Sequence, residues 1–162
     1  MCSYVKHPFK PIIFKDTTTL ILGSFPSVKS IEHNFYYSNP KNQFWKILSI
    51  ITGYPHLIKD QKMWLLKKTN IGLWDMMMSY NIENKSLDVD IYNEDINDIA
   101  SLLESNPSIN QVAFTGRKAE YLFEHHFGDL DIKKIYLPSP SSSYSKIDIE
   151  NKAIIYKEKL DI

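Results

Sequence analysis

TLILGSFPS, residues 19–27, is a run of aliphatic residues closed by a glycine and, three positions on, a proline. Too short for a helix and without a polar face, it reads as a buried strand entering a loop. Three later runs have the same form: NIGLWDM at 70–76, NQVAFTG at 110–116 and KKIYLPS at 133–139. Helical patterns separate them. Phe44, Ile47, Leu48 and Ile51 recur at i, i+3, i+4 and i+7, with Asn39 as N-cap, Pro40 at N1 and Gly53 as the stop. Further helices are expected at 60–68, from about Asn93 to Glu104, over RKAEYLFEHHF and from about Asp148 to Leu160. Strands alternating with such helices predict an α/β fold with a mostly parallel sheet covered on both faces. The opening, up to Asp16, reads as an extended lead-in.

The 162 residues suit one domain, 1–162, with 43% hydrophobic and 13% aromatic content excluding a disordered chain. Cys2 is the only cysteine, so no disulfide framework or thiolate metal cluster is available and a reducing, cytoplasmic compartment is expected. No secretory signal pattern is present, and the longest apolar runs are too short to span a bilayer, so no membrane partner is expected. Nineteen basic residues balance nineteen acidic ones. Nucleic-acid binding therefore needs a local basic or neutral cleft rather than a charged tail.

In parallel sheets, ligands bind beyond the carboxyl ends of the strands. Those ends here are GSFPS, LWDM, FTG and LPSPSSS. Gly23 to Ser27 can form a tight turn exposing backbone N–H groups to a carbonyl or phosphate oxygen, or simply a turn. YYSNPKNQFWKIL, 36–48, places Asn42 at N3 of its helix, where its amide can donate and accept without being needed as the cap. Tyr36, Tyr37 and Phe44 can stack on an unstacked base, or be ordinary core. Trp74 and Asp75 end a strand; the carboxylate can orient water, with no histidine cluster to complete a metal site. His125 and His126, adjacent on one helix, point to different faces and belong to the surface. Ser86, Leu87 and Asp88 fall in a polar loop that borders a cleft or nothing. LPSPSSSY, 137–144, offers serine hydroxyls for phosphate oxygens, with Lys146 as a nearby charge, or is a plain loop. There is no G-x-G-x-x-G, no phosphate-loop lysine motif and no G-x-S-x-G elbow.

Taken in order, LILGSFPS, YYSNPKNQFWKIL, IGLWDM, SLD at 86–88, FTGRKA at 114–119 and LPSPSSS resemble the uracil-DNA glycosylase superfamily. They are most similar to its hypoxanthine-DNA (deoxyinosine) glycosylase branch, related to the mismatch-specific uracil-DNA glycosylases. The resemblance implies a three-layer α/β/α sandwich around a four-stranded parallel sheet. It also implies an enzyme that flips a deaminated base and hydrolyses its N-glycosidic bond without a metal or organic cofactor. Its partner is DNA, and a monomer is the default for so small a base-flipping domain. Asn42 matches the family's reported catalytic asparagine. Gly23, Ser24, Phe25, Tyr36, Tyr37, Phe44, Trp74, Asp75, Thr115 and Gly116 become the substrate-binding set, with Ser139, Ser141, Ser142 and Lys146 for the DNA backbone. The chain departs from the family with Thr115 where Asn is common, Pro140 where Thr is, and Asn39 where His is frequent. A DNA- or nucleotide-binding module without turnover, and a protein-interaction domain, are the alternatives.

Overall fold

The computed structural model of the chain describes residues 4–81 and 95–162. Its strands are β1 (Tyr4–Lys6), β2 (Thr19–Gly23), β3 (Ile71–Asp75), β4 (Ser79–Asn81), β5 (Gln111–Phe114) and β6 (Lys133–Tyr136). The helices are α1 (Val28–Glu32), α2 (Phe44–Thr52), α3 (Lys59–Thr69), α4 (Ile99–Ser105), α5 (Arg117–Phe127) and α6 (Ile149–Leu160).

The main sheet has the order β3-β2-β5-β6, and every pairing in it is parallel. All of β2 is buried, as its continuous apolar run requires of a central strand. Alternation along the strands sorts the core into two layers. Ile21, Leu73, Ala113 and Ile135 pack beneath α2, α3 and α6 through Phe44, Ile47, Leu48, Leu65, Leu66, Ala153 and Tyr156. Leu20, Leu22, Val112 and Phe114 pack against α4 and α5 through Ile99, Ala119, Leu122 and Phe123. Burying a side chain such as Phe44 or Leu22 contributes about 1.5–3 kcal/mol. The three-layer sandwich is thus what the chain adopts.

Strand order positions the site. The chain leaves β2 to build β3 on one side, then returns across β2 to place β5 on the other. Successive crossovers therefore part between β2 and β5, the topological switch point where a crevice opens above an α/β sheet.

The lead-in holds more structure than its sequence announces. β1 pairs antiparallel with β4, and Ile12 exchanges both backbone hydrogen bonds with Leu73 at 2.9 Å, which covers the edge of β3. Gly72 permits that approach, since a Cβ there would stand 2.8 Å from the Ile12 carbonyl oxygen. Helix α1, within the loop after β2, has Ser27 as N-cap to the Ser30 N–H. Two helix starts differ from expectation. α4 begins at Ile99 behind an Asp98 cap, and α2 begins at Phe44 instead of following Pro40. No helix among the described residues is long and apolar enough to cross a membrane.

Candidate active site

A cavity of about 170 Å³ opens at the switch point. The loop after β2 supplies Gly23, Ser24 and Phe25, the end of β3 supplies Asp75, and the turn after β5 supplies Thr115 and Gly116. Tyr36, Tyr37 and Asn42 enter from the segment before α2, and Ser139 and Pro140 from the loop after β6.

Asp75 is a buried wall of this cavity, 4% exposed. Its Oδ2 lies 2.7 Å from His7 Nε2, itself buried. His7 Nδ1 lies 3.1 Å from the Phe9 amide nitrogen and 2.9 Å from the Phe9 carbonyl oxygen, so Phe9 fixes the ring and turns Nε2 toward the carboxylate. Burial pushes the Asp75 carboxyl above its usual range, while the His7 bond and a hydrogen bond from the Gly23 backbone act the other way. Gly23 is required here: a Cβ would lie 2.6 Å from Asp75 Oδ1. Asn97 Nδ2 donates to the Asp75 carbonyl at 2.8 Å and steadies the chain beyond β3.

Tyr37 forms a side of the cavity. Its backbone is left-handed, φ 51°, and its ring stacks on Phe44 at 4.2 Å between centroids. Its hydroxyl is 3.1 Å from Thr115 Oγ1, tying the segment before α2 to the turn after β5. Tyr36 is held more deeply, donating to the Lys10 carbonyl at 2.8 Å. Burial, with Asp75 nearby, raises both phenol pKa values above the ordinary range, so both hydroxyls are neutral.

Asn42 has a structural duty that its spacing did not suggest. Its Oδ1 accepts the Phe44 N–H at 2.9 Å, capping the first turn of α2. Asn39 Oδ1 instead accepts the Lys41 N–H at 3.0 Å in a separate turn. With the Asn42 oxygen engaged by backbone, its NH₂ is the end able to donate to a ligand.

The loops before α2 and after β6 are stitched together. Gln43 N–H donates to the Pro140 carbonyl at 2.7 Å and Ser142 N–H to the Lys41 carbonyl at 3.0 Å. Behind them the Lys152 ammonium, 1% exposed, donates to Gln43 Oε1 at 2.9 Å and to the Ser141 carbonyl at 3.0 Å. Tyr156 hydroxyl reaches the Pro138 carbonyl at 2.6 Å.

Of the residues singled out in the sequence, Gly23, Ser24, Phe25, Tyr36, Tyr37, Asn42, Asp75, Thr115, Gly116 and Ser139 meet at one cavity. Phe44 is fully buried beneath Tyr37, and Trp74 packs between the two cores; neither is in the cavity lining. Ser141 bonds to Ser143 at 2.7 Å, Ser142 borders a neighbouring cleft, and Lys146 is exposed outside both linings. Ser86, Leu87 and Asp88 lie outside the described residues. Pro140, noted in the sequence as a departure, also lines the cavity, and sequence reasoning passed over Ser30 and Lys118, which line it too, and His7. Lys118 stood in the quoted FTGRKA piece; a single histidine in an extended lead-in carries no comparable signal. Among the described residues no group of three His, Cys, Asp or Glu is placed to hold a metal ion.

The fold and this crevice correspond to a defined family: the model of the uracil DNA glycosylase superfamily matches residues 12–157. The chain belongs to that superfamily. Among similar proteins, a hypoxanthine DNA glycosylase of Methanosarcina acetivorans is 38% identical over 117 residues, covering 71% of this chain and 73% of the relative. One from Methanosarcina barkeri is 35% identical over 116 residues, covering 70% and 73%. A solution NMR structure of a provisionally assigned uracil DNA glycosylase from M. acetivorans superposes with a TM-score of 0.77 at 31% identity. It covers 97% of this chain and 99% of the other.

Proposed function

We propose that this enzyme, a DNA glycosylase by family, hydrolyses the N-glycosidic bond of a deaminated base in DNA and leaves an abasic site. Hypoxanthine is the first candidate, in line with the names of the two relatives; uracil and xanthine are the next. The carrying observation is a cavity at the switch point in which the Asn42 amide and the Asp75 carboxylate share one wall system. A recess of that kind takes a base swung out of the stack, because duplex geometry hides the glycosidic bond from any protein group.

Bond cleavage develops positive charge on the sugar and negative charge on the departing base. Fixed dipoles stabilise such a state more than water does, because they need no reorganisation. The Asn42 NH₂ donates to a base carbonyl or holds the attacking water, and it is itself held by the Oδ1 bond to Phe44 N–H. The amino end of α2 adds its partial positive charge toward the base. Asp75 takes a polar hydrogen of the base edge or of water, and the Tyr37 ring offers a stacking face. Ser139 at the cavity rim and Ser142 on the outer side are the loop's phosphate contacts, with Ser141 supporting the turn and Lys146 as a peripheral charge.

The test uses labelled oligonucleotides with a single hypoxanthine, uracil or xanthine, scored by strand cleavage in alkali. Turnover on hypoxanthine, abolished in Asn42→Asp, is the expected result. Silence across the panel with DNA still bound would replace this reading by a non-catalytic DNA-binding module.

A further inference from the structure

A second cleft, of about 590 Å³, adjoins the cavity and shares Tyr37 and Asn42 with it. Between the two stands the stitched pair of loops, joined by the Gln43–Pro140 and Ser142–Lys41 backbone hydrogen bonds. Lys41, Lys46, Lys62 and His56 line the cleft, and among the described residues no aspartate or glutamate does. In a chain of zero net charge, such a one-sign lining is a local choice. The described ion pairs lie elsewhere, and none includes Lys41, Lys46 or Lys62.

Lys62 is held by rings instead of a carboxylate: its ammonium is 5.6 Å from the centre of Trp45 and 5.8 Å from that of Phe35. Such contacts orient a cation without neutralising it. The charges also crowd one another. His56 is pushed below its ordinary pKa first by burial, then by Lys62 and Lys46. The site is therefore short of negative charge, and its polar remainder, including Ser142, suits an oxyanion.

We propose that this cleft seats a phosphodiester of the DNA strand next to the flipped nucleotide, with Lys46 and Lys62 as its cations and the Ser142 hydroxyl as a neutral donor. The path follows from the shared partition. A nucleotide whose base occupies the cavity carries its backbone across the rim made by residues 39–43 and 139–143, and the neighbouring phosphate descends on the far side. This rests on the glycosylase reading and supplies the local positive surface that the overall charge balance withholds. The cations come from α2 and α3, not from the serine loop.

The experiment compares Lys46→Ala/Lys62→Met with a charge-matched control, Lys15→Ala/Lys68→Ala, at two exposed lysines on the opposite, amino end of the sheet. Methionine keeps the Lys62 packing on Trp45. Each protein is titrated with a single-stranded oligonucleotide containing hypoxanthine over a series of salt concentrations. The cleft variant is expected to bind roughly tenfold more weakly at low salt. Its salt slope should be shallower by about 0.7 for each phosphate that the variant no longer neutralises on a single strand, with the control close to wild type. Equal behaviour of the two double variants, in a protein that turns over the oligonucleotide, would overturn the phosphate seat and leave the glycosylase standing. A difference between them without turnover by the wild type would keep the seat and remove the lesion base.

Discussion

His7 Nε2 stands 2.7 Å from Asp75 Oδ2, and the pair is buried against the cavity although the residues are 68 positions apart. The lead-in therefore completes the site: it covers the edge of β3 and delivers the donor that compensates a carboxylate removed from water. Removing one member leaves a buried polar group without its hydrogen-bond partner, a loss of about 1–3 kcal/mol. His7→Ala is expected to lower the free energy of unfolding by about 1–3 kcal/mol and to reduce turnover. Urea denaturation checks the first; a stability change within experimental scatter would show that Asp75 is compensated by other groups.

Asp75 gives a signed pH effect. Its carboxyl is raised by burial above the 3.8 of an unfolded chain. As pH climbs past 3.8 the unfolded state loses this proton first, so the native state holds more protons and stability falls. The contribution is full below 3.8 and disappears as the folded Asp75 ionises. The wild type should therefore lose stability relative to Asp75→Asn as pH rises from 3.8. Urea midpoints of both proteins across that range decide it, and an opposite slope would mean that His7 and the Gly23 backbone outweigh burial.

Asn42 holds the Phe44 N–H with its oxygen, and its NH₂ is the donor in the proposed reaction; substitutions separate the two. Asn42→Ala removes the acceptor for Phe44 N–H and should cost about 0.5–2 kcal/mol of stability besides turnover. Asn42→Asp keeps an oxygen for that N–H but has no NH₂ to offer. It should unfold at nearly the wild-type midpoint and still fail to release base. An active Asn42→Asp enzyme would move the catalytic donor to another group.

Gly23→Ala pushes a methyl to 2.6 Å from Asp75 Oδ1. Overpacking of this kind typically costs about 1–3 kcal/mol, and here it displaces the carboxylate as well. A double-mutant cycle with Asp75→Ala should shrink the Gly23→Ala penalty, because the clashing oxygen is gone. Additive effects would place the strain elsewhere.

Lys152 fastens both loops from behind. Lys152→Met preserves much of the volume but leaves Gln43 Oε1 and the Ser141 carbonyl without their donor, at about 1–3 kcal/mol. Hydrogen exchange at the Gln43 and Ser142 amides should accelerate in this variant. Unchanged protection would show that the backbone stitches hold the loops unaided.

Much of the architecture was legible because it is written in local periodicity. A central parallel strand is buried on both faces and so reads as an unbroken apolar run, as TLILG does. Helix α5 spans Arg117–Phe127 as its pattern of Ala119, Leu122 and Phe123 indicates. Strand-to-loop transitions marked where a site belongs, and ten of the singled-out residues do meet there. The start of α2 was misread for a physical reason. Asn39 and Pro40 have the residue types of a helix start, but residues 41–43 pair with 140–142 instead, and Asn42 supplies the oxygen at Phe44.

By itself the sequence determined the layers, the strand ends and the aromatic and amide residues gathered near them, since each depends on neighbours in the chain. Tertiary structure alone decided which of them share a cavity. Phe44 lies beneath Tyr37 in the same layer and Trp74 packs between the two cores, while Tyr37 reaches the cavity. His7 meets Asp75, Lys152 meets Gln43, and Lys62 and Lys46 come to line one cleft through strand order and helix packing. No short-range pattern encodes a contact whose partners are joined only by the fold.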